Sequence, residues 1–400
     1  MNSAAKRRLA SLSELAGLVA DGAATTRSAI VGATGLSRAA IAQRVDLLIE
    51  RGLLVETEPA AADRGRPPLT LDLSDAEIVV AGCDLGATHS RVAVATLSGR
   101  VLAERARAID INAGPEAVLG RVRADLEELL AEAGRPAEHL RAVGIGVPGP
   151  VEFASGTVVR PPIMAGWDGC RVPGFFEDRF AIAERAPVLV PVLVDNDVNT
   201  MALGEYTHRR DSRHLLYVKV GTGIGCGVIS DGLLHRGASG AAGDIGHIQL
   251  PGHEEVLCHC GNTGCVEAVA SGSAIAAALR AQGIEAGGAA DVVRLVSEGQ
   301  PAARRQVRLA GQRIGEVLAS LVSFHNPDTI VIGGILAQLH EDLLADVRAV
   351  IYRRALPLAT RSLAIETSVL GERAGVMGSV RLAARHLLSV EGMAGIIGDV

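Results

Sequence analysis

Aromatic residues are scarce in this chain of 400 residues, long apolar runs are absent, and neither sign of charge dominates. Only 2% of the residues are aromatic, and no segment offers the roughly 18 uncharged apolar residues that a membrane-spanning helix requires. The net charge of -6 argues against a polybasic membrane binder or a chain coated in nucleic acid. The same net charge does not exclude a small DNA-binding domain attached to an acidic body. We expect a soluble protein of the cytoplasm, without a membrane partner.

The chain instead has 48% apolar residues and 47 glycines. Cores built from Ala, Val, Leu and Ile, with many tight turns, suit an α/β architecture. A chain this long exceeds one compact core, so two or three domains are expected. Of the six cysteines, Cys83, Cys170 and Cys226 lie scattered in apolar or Gly-rich settings, as buried free thiols of a reducing compartment do.

The other three cysteines, Cys258, Cys260 and Cys265, lie within eight residues. Thiolates suit tetrahedral zinc, and the glycines between them can take the positive φ that lets three sulfurs converge on one ion. His247 precedes the first cysteine by a short loop and is the best candidate for the fourth ligand. His253 and His259 are weaker candidates, and three reduced thiols without a metal are the alternative. We predict a structural zinc ion.

Residues 1–73 have the pattern of a winged helix-turn-helix. Apolar periodicity, Gly turns and capping residues predict three helices and two strands, at 9–19, 26–33, 38–51, 53–55 and 69–73. Ser37 would cap the third helix. A basic turn at 63–68 would form the wing between the strands. A helical protein-interaction module is the alternative.

The third helix would be the recognition helix. Its early polar residues Arg38, Gln43 and Arg44 are candidates for base edges and phosphates in the major groove. Arg64 and Arg66 at the wing tip could reach into a narrow minor groove, where the negative potential is strongest. The head carries nine basic and eight acidic side chains, so it needs avidity to hold double-stranded DNA. We expect a homodimer or homotetramer on a pseudo-palindromic operator.

Two strand-loop-strand units with Gly/Thr-rich loops follow and suggest a duplicated fold. The first strand ends in the segment 84–88, and the second in 221–225. Glycine lets backbone amides approach an anion and Thr adds a hydroxyl donor, although hairpin turns use the same residues. Between these loops, Asn196 and Asp197 follow an apolar strand predicted at 188–194. Polar residues at a strand's carboxyl end lie in a crevice, whereas the alternative is an Asx-rich helix cap.

The segments 243–247 and 258–267 together resemble the ROK family (repressor, open reading frame, kinase). The hallmark of that family pairs Glu-x-Gly-His with Cys-x-Cys-Gly-x-x-Gly-Cys-x-Glu, and the resemblance covers nearly the whole chain. It implies an α/β body of actin-like (ribonuclease H-like) fold behind the winged head. The lobes would span 77–195 and 196–400, the second with the zinc knuckle and a last helix that returns to the first lobe. In the family the His and the three Cys bind zinc.

The resemblance also implies roles for residues of the cleft. Sugar contacts would come from Asn196, Asp197, Asp244, His247 and Glu267. Nucleotide phosphates, in a kinase, would be held by Asp84, Gly86, Thr88, Gly221, Thr222, Gly223, Gly333 and Gly334. Asp197 matches the base that takes a proton from the attacking sugar hydroxyl in the kinases.

Several residues depart from the kinase pattern. In the first loop, Ala87 replaces a Gly and would crowd phosphates, and His89 replaces a Lys. Cys226 stands where a Gly is usual, Asp244 is shorter than the usual Glu, and Pro162 stands about where kinases offer an Asn.

These departures, with the DNA-binding head, predict a sugar-responsive transcriptional regulator that acts as a repressor of carbohydrate genes. Residual catalysis through Asp197 would be vestigial. The alternative is an ATP-dependent, glucokinase-like sugar kinase carrying a DNA-binding head, and only then would ATP and Mg²⁺ be cofactors. A ligand-independent scaffold is a third hypothesis.

Overall fold

The computed structural model describes residues 3–58, 69–176, 190–209 and 211–398. The predicted wing turn, with Arg64 and Arg66, lies outside these residues. The head contains three helices and two strands: α1 (Ser3–Ala20), α2 (Arg27–Thr34), α3 (Arg38–Glu50), β1 (Leu54–Thr57) and β2 (Thr70–Leu73). The hydroxyls of Thr26 and Ser37 accept hydrogen bonds from N–H groups in the first turns of α2 and α3, which fixes where these helices begin.

The first of two five-stranded sheets, the first-lobe sheet, has the order β5-β4-β3-β6-β9. Its segment of the chain contains β3 (Val79–Leu85), β4 (His89–Thr96), β5 (Val101–Ala108), α4 (Pro115–Glu132), β6 (Leu140–Val147), the short pair β7 (Val151–Glu152) and β8 (Thr157–Val158), β9 (Val192–Asn196) and α5 (Asp197–Tyr206). β3, β4 and β5 are antiparallel, and β6 and β9 run parallel to β3. The strand predicted from residue 188 begins at Val192.

The second-lobe sheet has the order β12-β11-β10-β13-β14. The chain here contains β10 (Leu215–Val220), β11 (Ile224–Ser230), β12 (Leu233–Leu234), α6 (Val266–Ala270), α7 (Gly272–Arg280), α8 (Ala289–Ser297), α9 (Pro301–His325), β13 (Thr329–Gly333), α10 (Glu341–Arg354), α11 (Pro357–Thr360), β14 (Ala364–Thr367), α12 (Ala374–Leu387) and α13 (Val390–Ile397). Each sheet is an antiparallel three-stranded unit extended by two parallel strands, in the same order. The predicted duplication is therefore present.

Glycines bring α12 against the first-lobe sheet and against α5. A Cβ on Gly378 would lie 1.6 Å from the carbonyl oxygen of Thr200, and one on Gly204 would lie 2.2 Å from that of Ala374. On the sheet, a Cβ on Gly144 would lie 2.0 Å from the carbonyl oxygen of Ser379. Backbone therefore meets backbone at this junction, and α12 joins the first-lobe sheet although it comes from the end of the chain.

The head is docked on the body through a shared apolar core. Leu12 and Leu15 of α1 belong to the same buried cluster as Val80 of β3 and Met393 of α13. The Ser13 hydroxyl donates to the carbonyl of Leu388 at 2.7 Å. Burial of this kind contributes about 25 cal/mol per Å² of apolar surface, so the head and the last two helices stabilise one another.

Candidate ligand cleft and metal centre

A cavity of about 1040 Å³ opens between the two sheets. It is lined by the first Gly/Thr loop and the start of α5 on one side. The loop between β10 and β11, the segment 240–244 with His247, and Gly333 and Gly334 line the other side. Asp84, Thr88, Gly221, Thr222 and Gly223 also line it, so all the residues that the resemblance assigned to sugar and nucleotide, except Gly86, lie around one space.

Asp197, the residue that matches the kinase base, is held in an ion pair. Lys219 Nζ lies 2.5 Å from Asp197 Oδ2, and only 6% of the Asp197 side chain is exposed. Burial raises the pKa of Asp197 above its ordinary value, and the ammonium of Lys219 opposes that shift without cancelling it. Burial would lower the pKa of Lys219, but the charges of Asp197, Asp84 and Glu267 outweigh it, so that pKa is raised.

Asn196 caps α5. Its side-chain oxygen accepts from Val198 N at 3.0 Å, and its amide donates to the carbonyl of Gly149 at 3.1 Å. The helix-cap interpretation of this residue is thus realised in the structure. Asn196 also lines the cavity. Its amide can make further hydrogen bonds besides these two, so its contact with a ligand stays a prediction.

A carboxylate covers the second Gly/Thr loop. Glu267 Oε2 accepts from the backbone N–H of Ile224 at 2.9 Å. A Cβ on Gly223 would lie 2.3 Å from the same oxygen, so a larger residue there would push the carboxylate of Glu267 aside. An acidic side chain, Glu267 of α6, therefore lies over the predicted phosphate loop at the cleft.

The first loop is covered by an imidazole. A Cβ on Gly86 would lie 2.1 Å from the ring of His89, and the N–H of Gly86 donates to the carbonyl of His89 at 2.8 Å. His89 Nε2 lies 3.6 Å from Asp84 Oδ2. Asp84 is buried, and within the described part of the chain neither of its carboxylate oxygens has a hydrogen-bond partner.

The four predicted metal ligands converge. Ligand atoms of His247, Cys258, Cys260 and Cys265 all lie within 4.8 Å of one another. The Sγ atoms of Cys260 and Cys265 are 3.7 Å apart, and His247 Nδ1 is 3.7 Å from Cys258 Sγ. Tetrahedral zinc with Zn–S bonds of about 2.3 Å sets its sulfurs about 3.8 Å apart. The donor set and its spacing therefore fit zinc.

His247 faces both the metal centre and the cleft. Its Nδ1 points to the sulfurs, while its Nε2 lies 3.9 Å from Asp244 Oδ1 at the cleft wall. Cys265 immediately precedes α6, which carries Glu267. An ion at this centre would therefore fix His247 and Glu267 relative to one another.

Sequence reasoning missed two charged contacts, one that lines the cleft and one outside the cavity lining. Lys219 is the only charged residue in the apolar strand β10, and that irregularity was a signal that could have identified it. The second contact joins Arg236 to Asp195 at 2.7 Å, with the guanidinium 3.7 Å above the ring of Phe153. Its partners are far apart in sequence, and no local pattern indicates the pairing.

The candidate DNA contacts lie on α3. Arg38 and Gln43 are exposed, whereas Arg44 is half-buried and donates back to the carbonyl of Ala40 at 3.0 Å. Arg38 and Gln43 are thus open to a major groove, and Arg44 must change rotamer to reach one. Among the described residues, no helix is long and apolar enough to cross a membrane.

A winged-helix head docked on two actin-like lobes around a cleft is the architecture of a regulator built on a sugar-kinase body. The ROK family model matches residues 80–386, and the chain belongs to the ROK family. The xylose repressor of Caldicellulosiruptor bescii is 28% identical over 386 residues, covering 93% of this chain and 94% of that protein.

Two solved structures extend this similarity. A ROK family transcriptional regulator described as a homologue of the E. coli MLC protein superposes with a TM-score of 0.82 over 98% of this chain and 100% of its own, at 24% identity. The ROK glucokinase of Streptomyces griseus, solved with glucose and AMPPNP, is 28% identical with a TM-score of 0.64. It covers 76% of this chain and 99% of its own. The predicted family and fold class are confirmed.

Proposed function

We propose that this protein is a sugar-responsive transcriptional repressor. The observation that carries the proposal is the path of α12. Its first turn contacts the cleft, since a Cβ on Gly375 would lie 2.3 Å from the carboxylate carbon of Asp84. Its far end, with α13, completes the apolar core of the head. One rigid element therefore links the cleft to the DNA-reading module.

The comparisons support this choice over a kinase. The xylose repressor is similar over head and body alike, whereas the glucokinase covers 76% of the chain. We propose a DNA-binding head at 1–73 and lobes at 77–195 and 196–400, assembled as a homodimer or homotetramer in the cytoplasm. Exposed Arg38 and Gln43 would read base edges of an inverted repeat.

The coupling mechanism is closure of the cleft. A sugar held between Asp197 on the α5 side and Asp244, His247 and Glu267 on the other side would draw the lobes together. Because Gly378 and Gly144 pack α12 directly against α5 and the first-lobe sheet, closure would carry α12 and the head together with the first lobe. In a dimer, the two heads would lose the spacing of their half-sites.

Zinc would act structurally. The ligand set His247, Cys258, Cys260 and Cys265 would connect the cleft wall to α6. Loss of the ion should therefore weaken sugar binding by disordering the pocket, without removing any chemical step.

The test is an operator selection from genomic DNA with the full-length, zinc-loaded protein, repeated with a panel of sugars. We expect enrichment of an inverted repeat, with salt-dependent affinity, and release by at least one sugar. Gln43→Ala should relax the sequence preference, while Gln312→Ala, on the far body helix α9, is the matched control. Failure to enrich any sequence in the absence of sugar would refute the proposal. Sugar phosphorylation with ATP that disappears in Asp197→Asn would favour the kinase.

A further inference from the structure

Lysine is almost missing from this chain. Lys and Arg together number 39, yet Lys6 and Lys219 are the only lysines. Lys219 lies in β10 between buried Val218 and Val220, and 19% of its side chain is exposed. A lysine in such a strand loses hydration and requires an anionic partner. Asp197 is that partner, and the pair lies at the cleft.

The carboxylates around Lys219 outnumber it. Asp197 is in direct contact, and Asp84 and Glu267 also act on its charge. Asp244 lines the cleft as well, half of it exposed to solvent. Other cations are already engaged, since Arg91 pairs with Glu104 at 2.8 Å and Arg107 bonds Asp125 at 2.9 Å. An incoming dianion would thus meet a surplus of negative charge.

Three backbone N–H groups of the loops that would cradle a phosphate are already engaged. The N–H of Ile224 is taken by Glu267, and the N–H of Gly221 donates to Gly223 O at 3.0 Å. The N–H of Gly86 is taken by the carbonyl of His89. Backbone amides bind phosphate only when their N–H groups are free to point at it. Carboxylates, by contrast, are good acceptors for the hydroxyls of a polyol.

We propose that Lys219 is the specificity-determining residue that dedicates this cleft to an uncharged sugar and excludes sugar phosphates and nucleotides. This inference rests on the proposed sugar-responsive function and names the ligand class. The ammonium holds Asp197 ionised and in place, so that Asp197 accepts a hydrogen bond from a ligand hydroxyl without removing its proton. The remaining donors of Lys219 face ligand oxygens, and the unpartnered oxygens of Asp84 keep phosphate away.

Calorimetry on the full-length, zinc-loaded protein tests the ligand class. D-glucose is compared with glucose 6-phosphate, and D-xylose with xylose 1-phosphate. We expect at least one free sugar to bind, with its phosphate ester weaker by tenfold or more. An ester that binds as tightly as its parent sugar would overturn the inference and leave a sugar-responsive regulator intact. If neither the free sugars nor their esters bind, both the inference and the choice of effector are wrong. Operator binding would then still test the proposed regulator function separately.

Lys219→Met tests the residue. We expect it to weaken binding of the free sugar at least tenfold, because Asp197 is no longer held in place. The pKa of Asp197 also rises when the ammonium is removed, so the ionised acceptor is lost at low pH and sugar binding should strengthen as pH rises from 5 to 8. Lys219→Arg should restore most of the affinity and remove the pH dependence. Unchanged binding by Lys219→Met would contradict the assignment.

A second readout does not depend on a variant that alters the cleft lysine. With lysine ¹³C-labelled at Cε, the protein should give two lysine signals, from Lys6 and Lys219. We expect the Lys219 signal to stay at its ammonium position at pH values where Lys6 has titrated. In Asp197→Asn, its midpoint should fall. Titration of Lys219 together with Lys6 in the unaltered protein would refute the ion pair.

Discussion

The crossing of α12 and α5 makes a sharp prediction about Gly378→Ala. The added methyl would start 1.6 Å from the carbonyl oxygen of Thr200, whereas a relaxed C···O contact needs about 3.3–3.6 Å. The two helices must therefore separate by about 1.7–2.0 Å. Because the opposing atom is backbone, no side-chain rotation relieves the clash. Overpacking of a core typically costs about 1–3 kcal/mol, and we expect Gly378→Ala at or above the upper end of that range.

Gly120→Ala is the matched control. Gly120 also lies inside a helix, α4, but a Cβ there meets no atom within 4 Å. Replacing such a glycine by alanine stabilises a helix by roughly 0.5–1 kcal/mol. Both substitutions replace a glycine inside a helix by alanine. Helix propensity therefore cannot explain why one should lower the free energy of unfolding and the other raise it.

The assay is urea unfolding followed by the fluorescence of Trp167, the only tryptophan of the chain. Trp167 is fully buried and its indole N–H donates to the carbonyl of Ile111 at 2.9 Å, so its emission reports on the first lobe, which α12 covers. We expect a lower midpoint for Gly378→Ala, a higher one for Gly120→Ala, and weaker sugar binding only for the former. A loss below about 1 kcal/mol for Gly378→Ala would show that the helices are not in backbone contact.

Three further outcomes are expected. Metal analysis should find about one zinc per chain in the unaltered protein and a clear loss in Cys260→Ser; equal metal content in both would reject the ligand set. Asp125 is buried among arginines; burial would raise its pKa, but hydrogen bonds from Arg121 and Arg107 outweigh that and lower it. Its stabilisation is therefore present above pH 3.8 and is lost as pH falls through the lowered value. Asp125→Asn should lose roughly 1–3 kcal/mol at pH 7, with the deficit shrinking in acid, as pH-dependent unfolding would reveal. Met393→Ala should lower the free energy of unfolding by about 2–5 kcal/mol and weaken the packing of the head on α13. Sugar should then no longer release the operator, although calorimetry still detects sugar binding. Full release of the operator would rule out coupling through α13.

The parts that could be predicted from the sequence are those specified by nearby residues. The candidate zinc ligands Cys258, Cys260 and Cys265 lie within eight residues of one another, and their soft donor atoms and the glycines between them were sufficient to predict that they come together. The start of α3 follows from Ser37, because a cap acts on N–H groups only two or three residues ahead.

The parts that could not be predicted depend on distant pairings. Lys219 and Asp197 come from different elements, and the sequence does not show that the strand turns that lysine towards the cleft. Asn196 was ambiguous for another reason, since the same amide suits a helix cap and a sugar, and only the positions of Val198 and Gly149 reveal the bonds it makes. The wing prediction at Arg64 and Arg66 stays a prediction.

The shared core of α1 and α13 has a consequence for anyone who builds sensors from this scaffold. Leu12 and Leu15 are shielded by residues contributed from the opposite terminus, among them Met393. A chimera that transplants only residues 1–73 onto a foreign effector domain would expose this apolar face of α1 to solvent and would aggregate. A stable chimera must include α12 and α13 together with the head. The transferable unit therefore consists of two segments that are far apart in the sequence.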